Sequence, residues 1–188
     1  ARSGSKGLKN KNIKTFLGRP LLCHSIYFAK KLKFIDKIIL STDSKKYRKI
    51  GLKTGAEVPF LRSLKASKSI SMEEDVIEDI RKKSLKTKIK LPDYLLWLRP
   101  TCPLRDLKIY YKAYKKFKKL KKTVCIVSKT DPRIFISKNK KLIPINKNFK
   151  RKSMVRRQDC NPAYKIFYGE FFNFPKKHNR MFLGKQIY

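Results

Sequence analysis

Ala1-Arg2-Ser3-Gly4-Ser5-Lys6-Gly7-Leu8-Lys9-Asn10-Lys11-Asn12-Ile13 opens the chain and decides its reading. Two glycines, two serines, one arginine and three lysines share this stretch with almost no apolar side chains. Glycine permits positive φ and close backbone approach, so consecutive N–H groups can converge on one anion. Arg2, Lys6 and Lys11 add positive charge, and an arginine can grip phosphate oxygens through two parallel hydrogen bonds. This is the chemistry of a triphosphate cradle. It is neither a Walker A loop, which needs a four-residue gap and a Gly-Lys-Ser/Thr ending, nor the G-x-G-x-x-G of a dinucleotide fold. Composition alone leaves a disordered basic terminus equally open.

Further blocks lie downstream: Gly18-Arg19-Pro20-Leu21-Leu22 with Ser25-Ile26, Ile38-Ile39-Leu40-Ser41-Thr42-Asp43, and Gly55-Ala56-Glu57-Val58-Pro59-Phe60-Leu61-Arg62. Leu98-Arg99-Pro100-Thr101-Cys102-Pro103-Leu104-Arg105 and a weaker Arg157-Gln158-Asp159 with Pro162 and Tyr164 follow. Together with the opening loop, and in this order, they resemble the acylneuraminate cytidylyltransferases, the CMP–sialic acid synthetases. The resemblance runs along essentially the whole chain; the opening loop and the Leu-Arg-Pro-Thr-x-Pro-Leu-Arg block are its specific parts. Kdo cytidylyltransferases carry an Arg-Tyr-x-Ser-type loop instead, so the chain is more similar to the sialic acid branch.

The 188 residues suit one α/β domain with a sizeable core. No apolar run reaches the length of a membrane span and no signal-peptide segment is seen. Cys23, Cys102, Cys125 and Cys160 are widely spaced without a C-x-x-C pair, as expected of reduced thiols in a cytoplasmic protein. The net charge of +37 suggests nucleic acid. Yet lysine dominates and is spread end to end, whereas base readout and bidentate phosphate recognition favour arginine. Non-specific polyanion binding at low salt is expected, specific nucleic-acid recognition is not.

Apolar runs alternate with helix-period segments, which predicts βαβ units and a mostly parallel sheet. Helices are expected from Pro20 to about Lys33, from Ser44 to Thr54 with Gly55 as C-cap, and from Glu73 to about Lys86. Lys37–Leu40 and Val124–Val127 read as strands, and Tyr94–Leu98 as a central strand covered on both faces. In Asp106–Lys122, Tyr110, Tyr111, Tyr114, Phe117 and Leu120 recur every three or four residues opposite lysines. That spacing reads as a helix with a buried aromatic stripe rather than a base-stacking platform. Lys138–Arg157 is polar, basic and irregular around Leu142-Ile143-Pro144-Ile145, and Tyr164–Phe174 returns as a strand.

The resemblance implies a three-layer nucleotidyltransferase (Rossmann-like) fold of class α/β, its first strand missing. It implies one cytidylyltransferase domain over 1–188 with a dimerisation-type excursion around 133–160, hence a homodimer. The implied reaction joins CTP to a nine-carbon α-keto acid sugar and releases pyrophosphate. Legionaminic or pseudaminic acid as the sugar, or a nucleotide-binding homologue without catalysis, stay open. Arg2, Ser3, Gly4, Ser5, Lys6 and Gly7 would hold the triphosphate, with Lys11 and Asn12 beside the α-phosphate and Arg2 and Lys11 carrying the catalysis. Arg62, Ser71 and Arg99 would line the nucleotide pocket; Arg105, Arg157 and Gln158 would meet the acidic sugar or the pyrophosphate. Mg²⁺ is implied as cofactor, with ligands expected in an Asp-x-Asp segment beyond Tyr188, so the chain reads as a fragment of a longer product. His24 reads as structural. Glu170 and its neighbours stand where relatives have an Asn-Gly-Ala turn.

Overall fold

The computed structural model describes residues 1–4, 7–145, 155–184 and 186–188. The chain divides into two compact units, Ala1–Ile126 with Tyr168–Tyr188, and Val127–Phe167.

In the first unit the opening loop ends in a 3₁₀ turn, Lys11–Ile13, after Asn10 in the left-handed region (φ 57°). A short hairpin follows, β1 (Thr15–Phe16) with β2 (Arg19–Pro20), and α1 (Leu21–Lys30) starts directly behind Pro20. Helix α2 (Lys45–Thr54) is capped as its sequence demands: the Ser44 hydroxyl accepts from the Tyr47 N–H, and Gly55 takes φ 91° at the C-terminus. After α3 (Leu64–Ser67) comes α4 (Glu73–Lys86), whose first turn carries Glu73, Glu74 and Asp75 against the positive end of the helix dipole. Strand β3 (Tyr94–Trp97) leads to α5 (Leu107–Leu120), where the Asp106 carboxylate accepts from the Lys108 N–H. Strands β4 (Val124–Thr130) and β7 (Ala163–Asn173) complete a sheet of order β3-β7-β4.

Phe171 and Phe172 show how the layers form. Successive side chains of a strand point to opposite faces. Phe171, fully buried, packs with Tyr110, Ala113 and Phe117 of α5 and Phe28 of α1; Phe172 packs with Val76, Ile77 and Ile80 of α4. Helices therefore cover both faces of the sheet. The aromatic stripe of α5 is core, as its spacing predicted, with Phe34 stacked on Tyr114 at 3.9 Å between centroids.

Two expectations about the sheet are corrected. Among the described residues β3 and β7 run antiparallel, as do the paired strands of both hairpins, and a parallel bridge joins Ile39 and Glu57. Alternation of strand and helix patterns identifies elements but not which strand returns beside which, and the long β7 comes in beside β3. Among the described residues β3 lies at the end of this three-stranded order, with all of its residues partly exposed. Lys37–Leu40 contributes that single bridge, through Leu40 N–H to Glu57 O and Glu57 N–H to Ile38 O.

The second unit holds the hairpin β5 (Phe135–Lys138) and β6 (Lys141–Pro144), in a stretch whose sequence predicted no regular structure. A 3₁₀ turn, Arg157–Asp159, follows the undescribed residues 146–154.

Candidate active site

The opening loop rests on a small apolar core. Leu22, Cys23 and Ile26 of α1 pack with Leu40, Tyr47, Ala56 and Val58, and Ala1 and Ile13 at the two ends of the loop pack against them. Both ends of a glycine-bearing loop are thus pinned by apolar burial, worth ~25 cal/mol per Å². Between them Gly4 and Gly7 face open space: a Cβ added to either would meet no atom within 4 Å. Ser5 and Lys6 lie outside the described residues.

Polar anchors supplement the apolar ones. The Ser3 N–H donates to Asp43 Oδ1 at 2.8 Å and the Ser3 hydroxyl to Asp43 Oδ2 at 2.9 Å. The Asn12 side-chain amide, buried, donates to the carbonyl of Arg2 at 3.0 Å, and the nitrogen of Ala1 donates to the carbonyl of Ser41 at 2.7 Å. The turn that carries Asp43 is anchored by burial and hydrogen bonds. Thr42 is fully buried, its carbonyl accepts from the Arg62 N–H at 2.7 Å, and Ser44 caps α2 immediately afterwards.

Arg62 comes to the same place from the Gly55–Arg62 block. Its Nε donates to the Ser41 hydroxyl at 3.1 Å and its Nη2 to the Ser41 carbonyl at 2.9 Å. Burial draws its pKa below the ordinary value, Asp43 and Asp79 oppose that shift, and the nearby charge of Arg2 adds to it. An arginine stays protonated under such pulls. Two guanidinium groups therefore share the ground beside the open glycine loop. Among the described residues neither Arg2 nor Arg62 Nη1 donates to any protein acceptor.

Other sequence candidates are placed differently. Lys11 sits in the 3₁₀ turn, partly buried. Asn12 serves the backbone of Arg2, and Ser3 spends both its donors on Asp43. The Ser71 hydroxyl donates to the Lys65 carbonyl at 2.5 Å. Arg99 is committed to carboxylates: Nη1 to Glu170 at 2.6 and 2.7 Å, and Nε and Nη2 to Glu73 at 3.3 and 3.1 Å. Arg105 Nη2 donates to the Arg99 carbonyl at 2.6 Å and the guanidinium lies 5.6 Å from the Phe28 ring, while its buried Nε and Nη1 have no partner among the described residues. Arg157 and Gln158 belong to the 3₁₀ turn of the second unit. His24 is structural as read, its Nε2 bonded to the Phe16 carbonyl at 2.7 Å. Asp43 carries a role that the sequence did not announce, although its Ser-Thr-Asp turn stood out.

Comparison with known proteins gives these contacts their chemistry. Residues 1–90, the loop and Arg62 included, match the cytidylyltransferase family profile. These 90 residues are cytidylyltransferase-like. It is 34% identical over 117 residues to the pseudaminic acid cytidylyltransferase of Campylobacter jejuni, covering 62% of this chain and 50% of that protein. It is 35% identical over 130 residues to the N-acylneuraminate cytidylyltransferase of Escherichia coli O18:K1:H7, covering 69% of this chain and 30% of that one. The matched parts thus span half or less of these relatives. In structure it is similar to a CMP:2-keto-3-deoxy-manno-octonic acid synthetase complexed with CTP, with TM-score 0.64 at 13% identity over 92% of this chain and 71% of the other. The chain therefore has the α/β nucleotidyltransferase fold.

Divalent metal use is general in the cytidylyltransferase family. Among the described residues no three His, Cys, Asp or Glu side chains gather to hold a cation. Asp43, the carboxylate beside the loop, is spent on Ser3. Among the described residues the protein side chains alone therefore build no complete cation cage. No helix among the described residues is long and apolar enough to cross a membrane.

Proposed function

We propose that residues 1–188 form one cytidylyltransferase domain that activates a sialic-acid-like nine-carbon keto acid with CTP, giving the CMP-sugar and pyrophosphate. The observation that carries this reading is the pair Arg2 and Arg62, with donors unused by the protein, beside a loop whose glycines face open space. In the reaction the anomeric hydroxyl oxygen of the sugar attacks the α-phosphorus and gives up its proton to solvent, while the bond to the bridging oxygen breaks and pyrophosphate departs. Such transfers depend on positioning and on neutralising charge.

The backbone of Gly4–Gly7, with Ser5 and Lys6, cradles the triphosphate, and Arg2 and Lys11 meet the charge that builds at the α-phosphate. Asn12 acts through the backbone of Arg2. Arg62 meets the phosphates and Ser71 edges the nucleotide pocket. Arg99 bears on the nucleotide indirectly, as a brace between β7 and α4 rather than a reader of the base. The unpartnered N–H groups of Arg105 suit it to an acidic group, and Arg157 and Gln158 are assigned to the sugar. Magnesium is the expected counter-ion of the phosphates, and the cytoplasm, where CTP is made, the expected location.

The hairpin of the second unit exposes Phe135, Ile136, Leu142 and Ile143 together with Ile134 and Ile145. An apolar surface of this kind suits a second copy of the chain, so the enzyme is proposed as a homodimer; Ile136→Asp with Leu142→Asp should yield monomers in sedimentation.

The reaction is tested by pyrophosphate release from the full-length protein with Mg²⁺. CTP, ATP, GTP and UTP are each offered with N-acetylneuraminate, legionaminate or pseudaminate. CTP-selective release with one of these sugars is the expected result. Saturable CTP binding without release would leave a nucleotide-binding homologue, and absence of CTP binding would overturn the reading.

A further inference from the structure

Asp43 and Ser3 form a contact that nucleotide binding through the loop does not by itself require. The two lie 40 residues apart, and the carboxylate takes the backbone N–H with one oxygen and the hydroxyl with the other. Hydrogen bonds to an ionised acceptor are about twice as strong as neutral ones, and a two-point contact also fixes orientation. Ser3 has no other donor, so in this arrangement it cannot donate to a phosphate.

From this geometry we infer that Asp43 is a positioning residue of the nucleotide site, a latch that sets the glycine loop through Ser3 and leaves phosphate recognition to the residues on either side. The inference rests on the cytidylyltransferase reading given above. It moves Ser3 from a phosphate ligand to an anchor and gives the Ser-Thr-Asp turn a task.

Three features support a latch over an incidental contact. The turn presenting Asp43 is anchored, with Thr42 fully buried between the Arg62 backbone bond and the start of α2. The loop is attached on the other side of Ser3 as well, by Asn12 to the carbonyl of Arg2. Residues 2 and 3 are therefore held by two different elements while Gly4 and Gly7 stand clear. Finally, Arg62 is oriented by Ser41 and makes no ion pair with Asp43 among the described residues. A direct pair would occupy the guanidinium; the present arrangement keeps the anion on the loop and the cation available for phosphate. Holding a loop in its binding conformation raises affinity by removing the ordering cost from the binding step.

The test uses the full-length protein in four variants: Asp43→Ala, Asp43→Asn, Ser3→Ala and the double Ser3→Ala/Asp43→Ala. CTP affinity is read by calorimetry, amide exchange across residues 2–13 by mass spectrometry, and integrity by thermal unfolding. Asp43→Ala should weaken CTP about 30-fold, which is about 2 kcal/mol at 1.4 kcal/mol per tenfold, and speed exchange in the loop. Asp43→Asn, which retains a carbonyl acceptor for the Ser3 N–H, should recover at least half of that loss on a logarithmic scale. The double variant should bind no worse than Asp43→Ala, because both changes break the same interaction. Wild-type affinity in Asp43→Ala, or losses that multiply in the double variant, would overturn the latch and leave the enzyme assignment standing. A fall in melting temperature with unchanged affinity and loop exchange would make the interaction structural only and overturn the latch too. If the wild-type protein binds no CTP, the assignment fails and the latch fails with it.

Discussion

Glu170, 3% exposed on β7, accepts from Nη1 of Arg99 with both of its oxygens, at 2.6 and 2.7 Å. Arg99 ends the run that began as β3, and Glu73 at the start of α4 takes its other nitrogens. One guanidinium thereby ties the sheet to the helix behind it. Removing one partner of a buried pair leaves the other charge uncompensated, whereas replacing both with apolar groups is often neutral. Glu170→Ala should cost about 2–3 kcal/mol of stability, less than a fully buried pair because Glu73 remains. Arg99→Met/Glu170→Met should recover most of it. Urea unfolding of the three proteins checks both values.

Gly169, one residue earlier, is constrained by an aromatic ring. A Cβ there would stand 2.9 Å from Cε1 and Oη of Tyr110. That ring cannot retreat: its hydroxyl donates to the Tyr168 carbonyl at 2.5 Å, and its edge packs on Phe28 with centroids 4.6 Å apart. Burial pushes the Tyr110 hydroxyl up to about 12. Gly169→Ala should destabilise by about 1–3 kcal/mol through overpacking, a drop of roughly 2–12 °C in Tm for a domain of this size, read by calorimetry.

On α4, Arg81 donates to both oxygens of Glu78, at 2.8 and 2.7 Å. These hydrogen bonds hold the Glu78 carboxyl at about 2 against an ordinary 4.5, with burial opposing them and the charges of Arg81 and Lys82 assisting. A depressed folded value means that the unfolded chain binds the proton first as pH falls. The contribution is therefore complete above about 4.5 and is lost as pH falls toward 2. Arg81→Gln should flatten the slope of unfolding free energy against pH in that window and leave the curve above about pH 6 parallel to wild type. Denaturant titrations at a series of acid pH values test this.

The legible parts of the sequence were those set by local chemistry. Ser44 and Gly55 mark the ends of α2 by side-chain acceptance and positive φ, and the period of Tyr110, Tyr114 and Phe117 gives the buried face of α5. The composition of the opening loop suggested anion chemistry without excluding a disordered terminus, and the family resemblance decided between the two readings. What escaped depends on partners distant in sequence. Asp43 meets Ser3 across 40 residues and Arg99 meets Glu170 across 71, and no spacing rule reaches so far. The hairpin β5–β6 escaped for another reason. It turns through Asn139 and Lys140, both at positive φ (51° and 59°), the conformation that Asn-Gly would have announced. The parallel sheet was inferred from alternation of elements, which says nothing of the order in which strands lie side by side.

A calorimetric titration of CTP into wild-type, Arg2→Ala and Arg62→Ala protein reads whether a triphosphate is held between the glycine loop and the two arginines. Deleting either guanidinium removes charge-assisted hydrogen bonds to phosphate and should weaken binding by about 1.5–3 kcal/mol, roughly 10- to 150-fold. CMP, which lacks the β- and γ-phosphates, should bind the three proteins with far smaller differences. CTP bound equally well by all three proteins would leave the two guanidinium groups no part in holding the triphosphate.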